Sequence, residues 1–137
     1  MKSIIYLFAL LLFSFNVNAE PKFYTGFWEY TIEIKVPGMA RSELKKVQEC
    51  VRELNDVISL FKPDPSCSIS QVQASGSQVQ WTLYCKTPGG TYHGEALISG
   101  NEHTVNGSIE MQTTIPGMKH IMRTSYVITG TNRGVCQ

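Results

Sequence analysis

The stretch GFWEYTIEIKV, residues 26–36, constrains the fold more than any other part of this chain. Trp28, Tyr30, Ile32, Ile34 and Val36 alternate with Glu29, Thr31, Glu33 and Lys35. Side chains of an extended strand point to opposite faces in turn, so this period of two predicts a strand with one buried and one wet face. Pro37 and Gly38 stop it as a turn pair. The same grammar recurs downstream. CSISQVQA and QVQWTLYCK flank Ser75 and Gly76 as a hairpin, with Val72 placed opposite Val79. Val79, Trp81, Leu83 and Cys85 share one face. TPGG, residues 87–90, turns the chain into the strand TYHGEALIS, and Gly100 and Asn101 turn it again.

The last hairpin carries the most register information. A turn centred between Pro116 and Gly117 pairs Ile115 with Met118, Thr113 with His120, Met111 with Met122, Ile109 with Thr124, Gly107 with Tyr126 and Val105 with Ile128. Gly107 then leaves room for the Tyr126 ring. The opposite face carries Glu110, Gln112, Thr114, Lys119, Arg123 and Ser125, so one register sorts both strands, with Ile121 and Val127 as exceptions. VPGM, residues 36–39, echoes IPGM, residues 115–118, as two similar hairpin turns rather than an internal repeat.

Residues 41–61 read two ways. Leu44, Val47, Val51, Leu54, Ile58 and Phe61 follow a 3,4,3,4,3 spacing, which suits an amphipathic helix ending before Pro63. Only the part from about Arg52 is free of a competing strand reading. About seven strands with one short helix make a meander. Such a sheet twists, and covers its apolar face by curling into a barrel or half-barrel around the helix.

The first residues describe where this domain is expected to work. Lys2 precedes an apolar run over residues 4–15, and Val17, Asn18 and Ala19 end it with small residues. That is the layout of a secretory signal peptide, with cleavage expected after Ala19. The run falls well short of the roughly 20 residues a spanning helix needs. Residues 20–137 then form one domain, expected in the periplasm. All 11 acidic residues lie in that part, and its net charge is near zero. No basic run exists, so the linear sequence offers no electrostatic support for a nucleic-acid or anionic-membrane partner. With 42% hydrophobic residues the chain can fill a core.

Cys50, Cys67, Cys85 and Cys136 are an even set, which in an exported chain reads as two disulfides. Three connectivities are open. The expected one is Cys50–Cys67, closing a loop with a Pro-rich end, and Cys85–Cys136, pinning the C-terminus. Each bridge would contribute about 3 kcal/mol. No C-x-x-C pair argues for a structural metal instead.

The residues GFWEYTIEIKVPGM, QEC at Cys50, SCSI at Cys67, VQWTLYC to Cys85, GEALISGNEHTVNGSIEM and the closing IPGMKHIMRTSYVITGTNRGVC together resemble DUF3617, a family of small exported proteins of Gram-negative bacteria without an assigned function. The likeness spans essentially the whole mature chain. It implies an exported, β-rich, disulfide-bearing domain and no particular activity. It also favours a strand over residues 42–50, followed by a short helix, against the 3,4 periodicity.

No catalytic signature is present: no Gly-x-Ser-x-Gly, no His-Glu-x-x-His, no phosphate loop. The expectation is therefore a non-enzymatic domain without a cofactor. Glu29 and Glu33 share a strand face, alternating with Thr31 and Lys35 as a solvated face does. His93, His103 and His120 lie on separate segments. Asn106 opens a glycosylation sequon, which a mid-strand position in a bacterial protein argues against. Three classes of function follow. A curled sheet with Trp28, Tyr30, Trp81, Met111, Met122 and Tyr126 on its concave face suits a small apolar ligand. Exposed apolar loops near Met39 or Met118 would suit a periplasmic protein partner. Met118, His120 and Met122, spaced by two, offer thioether and imidazole ligands for Cu(I), against the commoner use of Met as core filler.

Overall fold

A computed structural model describes residues 25–137; the expected signal peptide and its cleavage point lie outside the described residues. The order of elements is β1 (Gly26–Lys35), β2 (Glu43–Val51), α1 (Leu54–Leu60), β3 (Cys67–Ser75), β4 (Gln78–Thr87), β5 (Gly90–Gly100), β6 (Thr104–Thr114) and β7 (Met122–Asn132). The strands form one seven-stranded sheet in the order β2-β1-β7-β6-β5-β4-β3, with every pairing antiparallel. β7 returns to pair with β1, so the first hairpin is joined to the five-strand meander. The sheet does not close: β2 and β3 are its free edges, and α1 links them.

Residues 41–61 resolve as the family likeness implies, not as one helix. β2 pairs with β1 from Glu43↔Ile34 to Gly26↔Val51. Val47 and Val51 face inward with Tyr30 and Gly26, while Leu44 lies opposite Glu33 and is exposed. The 3,4 spacing of the first half is a coincidence of strand residues that lie on opposite faces. The helix starts only at Leu54. There the Asp56 carboxylate reaches back and accepts the backbone N–H groups of Arg52 (2.8 Å) and of the capping residue Glu53 (3.1 Å), just before the helix. Pro63 follows the last turn and prevents its continuation.

The inner face of the curled sheet and the helix share one core. Trp28, Tyr30, Val51, Val57, Ile58, Phe61, Trp81 and Leu83 are buried in it. Trp28 stacks on Tyr30 at 5.8 Å between ring centroids, and Tyr30 meets Phe61 edge-on at 5.1 Å. Each such side chain removed from water contributes about 2 kcal/mol of burial, and the ring pairs add about 1 kcal/mol.

Two expected registers are corrected. In the β6–β7 hairpin Met111 faces Thr124 and Thr113 faces Met122, so β7 is displaced by two residues from the expected pairing. The Pro116–Gly117 turn is tight, with the Met118 N–H on the Ile115 carbonyl at 3.1 Å, but residues 119–121 extend the connection beyond it. An even displacement leaves every residue on its own face, which is why Ile109, Met111 and Ile128 remain buried. It does change neighbours. Gly107 lies opposite Ile128, and the glycine that makes room for a tyrosine ring is Gly130, opposite Tyr30. In the β3–β4 hairpin the turn falls on Gly76 and Ser77, with Ser75 opposite Gln78, so Ala74, not Val72, lies opposite Val79, and a bulge between Ser70 and Gln73 shifts the register again farther along. Gln71 takes the strained φ of 54° there, and Val72 is exposed.

The disulfide pairing is corrected too. The bridges are Cys50–Cys136 and Cys67–Cys85. Cys67 and Cys85 sit directly opposite on β3 and β4, buried in the core. Cys50 lies near the end of edge strand β2, and its bond holds the C-terminus across from it.

Candidate functional site

The antiparallel order sets both ends of the sheet. β1, β6 and β4 run in one direction, so the β1–β2, β6–β7 and β4–β5 turns all emerge at the same end. These are the three Pro-Gly turns, at Pro37, Pro116 and Pro88. Gly38 and Gly117 supply the positive φ, 85° and 83°, that the third residue of such a turn requires, and each turn closes with a backbone hydrogen bond to the following Met.

Helix α1 packs on the concave face through Val57, Ile58 and Phe61. Towards the turn end the inner residues Ile32, Ile34, Tyr92, Thr124 and Tyr126 are partly open. Two open pockets lie here on either side of the loop that follows α1, sharing Pro63 and Tyr126. One, about 200 Å³, is walled by Ile32, Ile34, Phe61, Ile109 and Ile128, with Lys45 and Lys62 at its margin. The other, about 220 Å³, is walled by Tyr92, Met111, Thr113 and Thr124, with Asp64 beside Pro63. Burial, with the neighbouring Tyr92 phenol, raises the Tyr126 pKa, so Tyr126 presents an uncharged hydroxyl where the two pockets meet. A larger cleft of about 370 Å³ on the outer face is lined mostly by polar groups such as Gln73, Gln80, Thr82 and Glu95. Its side chains bond one another, Gln80 to Gln73 at 2.6 Å and Ser70 with Thr82 at 2.7 Å, as a solvated sheet face does.

The sequence-derived ligand set is divided by this geometry. Trp28, Tyr30 and Trp81 lie in the packed core, Trp28 and Tyr30 beside the helix. Met111 is buried but forms part of the second pocket's wall, Tyr126 belongs to both pockets, and Met122 is exposed at the mouth of β7. Ile32, Ile34, Lys45, Lys62 and Tyr92 complete the site. The alternation of β1 signalled the two isoleucines. Nothing local signals the lysines, since their placement depends on how edge strand and helix end meet the sheet.

Met118 and His120 lie in the irregular connection before β7, and Met122 is its first residue, so strand alternation does not govern the three. All are exposed. Among the described residues no group of three or more His, Cys, Asp or Glu side chains is placed to hold a metal. Glu29 and Glu33 each have their own partners. Glu29 accepts Gln48 Nε2 and Arg133 at 3.1 Å, and these bonds hold its pKa below the ordinary carboxylate value. Glu33 accepts Ser42 Oγ at 2.7 Å and lies 3.7 Å from Lys35. His93 is exposed on the outer face, opposite Gln112. Among the described residues no helix is long and apolar enough to cross a membrane.

A family model described as protein of unknown function, DUF3617, matches residues 21–136. No curated protein matches the chain, and no solved structure does.

Proposed function

Because the chain belongs to the DUF3617 family, whose description carries no activity, we propose a function from the site alone: a non-catalytic periplasmic domain that binds an amphiphile. The apolar chain of the ligand lies in the groove between the end of α1 and β7, and its anionic head meets Lys45 and Lys62. The observation that carries this reading is the partly open turn end of the concave face, with two lysines at the edge of otherwise largely apolar walls. Apolar pockets with a few placed polar groups are the usual form of small-molecule sites. The export reading is supported by the signal-like leader and by two disulfides, which persist in oxidising compartments.

Displacement of the fluorescent probe 1-anilinonaphthalene-8-sulfonate tests it. Laurate is expected to displace the probe below its micellar concentration, and dodecanol to do so more weakly. Ile34→Trp, which fills the groove, is expected to abolish probe binding. Lys45→Glu with Lys62→Glu is expected to remove the preference for laurate. Displacement that Ile34→Trp leaves unchanged would show that the groove is not the site.

A further inference from the structure

Charge that is balanced along the chain is separated along the strand axis. The turn end carries Lys35, Arg41, Lys45, Lys62, Lys86, Lys119 and Arg123, against Glu33, Glu43 and Asp64, with Glu33 already paired to Lys35. The opposite end carries Glu49, Glu53, Asp56 and Glu102, against Arg52 and Arg133. The turn end is thus net positive and the far end net negative.

The same end is also where apolar surface is exposed. Of the nine exposed large hydrophobic side chains among the described residues, Met39, Leu44, Met118, Ile121 and Met122 belong to the first and last hairpins at this end. Met39 is 66% exposed, Met118 53% and Ile121 60%. β7 alone separates β1 from β6, so the two Pro-Gly-Met turns leave the sheet on the order of 10 Å apart. Their backbones are fixed by the turn hydrogen bonds, so these side chains are presented outward rather than folded back.

We infer that this end is a membrane-docking face, on which Met39, Met118 and Ile121 enter the interfacial region of a bilayer and the surrounding Lys and Arg side chains meet anionic headgroups. Unbranched thioether side chains at the tips of tight turns suit shallow insertion, because they present apolar surface without bringing unpaired backbone into the hydrocarbon. The cations supply the complementary attraction, about 1 kcal/mol for each Lys or Arg near an anionic surface. This inference does not rest on ligand binding in the groove.

The test uses protein recovered from the cell envelope, its N-terminus established by mass spectrometry, with vesicles of equimolar phosphatidylglycerol and phosphatidylcholine or of phosphatidylcholine alone. Co-sedimentation is expected with the anionic vesicles, weakened by salt, and not with the neutral ones. Arg41→Gln, Lys119→Gln and Arg123→Gln are each expected to lower the partition coefficient about fivefold. All three positions are exposed, so folding is unaffected, which circular dichroism checks. Trp28 and Trp81 are buried, so Met118→Trp gives a reporter at the tip. Its emission is expected to shift to the blue on anionic vesicles, while Val135→Trp, at the opposite end, stays unshifted. Vesicle binding indifferent to these substitutions, or none at all, overturns the inference. So does a tip whose substitution abolishes cross-linking to a periplasmic protein while anionic vesicles leave Met118→Trp unshifted, since the face would then be a protein interface.

Discussion

Gly130 shows how one position can hold the core together. It lies opposite Tyr30, and a Cβ there would sit 2.7 Å from both Tyr30 Cδ1 and Val105 Cγ2. Neither the stacked Tyr30 ring nor the buried valine has room to retreat, because the core around them is filled. Gly130→Ala is therefore expected to cost about 1–3 kcal/mol, read from urea unfolding, although alanine is among the mildest of substitutions. Asp56 acts through charge instead. Its pKa is lowered by the backbone N–H groups of Arg52 and then Glu53, so its contribution is present above the ordinary aspartate value and is lost as pH falls through the lower, folded one. Asp56→Ala is expected to lower the melting temperature at neutral pH. At acid pH, where the wild-type carboxyl is already protonated, the difference between the two proteins is expected to shrink. A difference that is constant down to strongly acidic pH would contradict the capping role.

Among the elements, the disulfides and hairpins decide where the chain is stapled. Cys67 and Cys85 are 18 residues apart, and Cys50 and Cys136 are 86 apart. By loop entropy the short bridge stabilises by about 3 kcal/mol and the long one by about 4.5 kcal/mol. Replacing Cys50 and Cys136 by Ala is thus expected to cost more than replacing Cys67 and Cys85, and non-reducing peptide mapping is expected to recover these two pairs. The pairing expected from sequence joins Cys50 to Cys67 across a loop with a Pro-rich end and uses Cys85 to pin the C-terminus at Cys136. Cys50 and Cys67 are not neighbours in space, because α1 carries the chain from one free edge of the sheet to the other between them. The β6–β7 hairpin was legible in its faces but not in its register, and in β3 the bulge also upset the face expected for Val72. Alternation fixes which residues point inward, whereas the pairing depends on the residues after each Gly, such as 119–121, and on the Gln71 bulge.

On the scale of the whole molecule, an open sheet has to protect its edges. β2 presents charge on both faces, through Lys45, Lys46 and Glu49, and β3 is broken by its bulge. Lys46→Val with Glu49→Val is expected to expose a longer apolar edge and produce dimers or larger species by size-exclusion chromatography, where the wild-type chain elutes earlier only if its own edge already pairs. The openness that creates this demand also leaves the turn end of the concave face uncovered, and with it the candidate groove.

Local pattern was enough to determine β1, β4, β5, β6 and β7, their inward faces, most of the core and the even set of cysteines, because backbone geometry imposes a period of two and burial selects one phase of it; β2 was legible only through the family likeness, against the local 3,4 spacing. Ile32, Ile34, Met111 and Tyr126 could be assigned to the inner face on that ground alone. Only the tertiary structure decided that β7 returns beside β1, which cysteines meet, and that the turn end of the inner face stays partly open. It also decided that scattered lysines and arginines gather at one end. These are contacts between residues distant in the chain, and their free energies depend on where the sheet curls and which edge the helix links, which no window of local sequence contains.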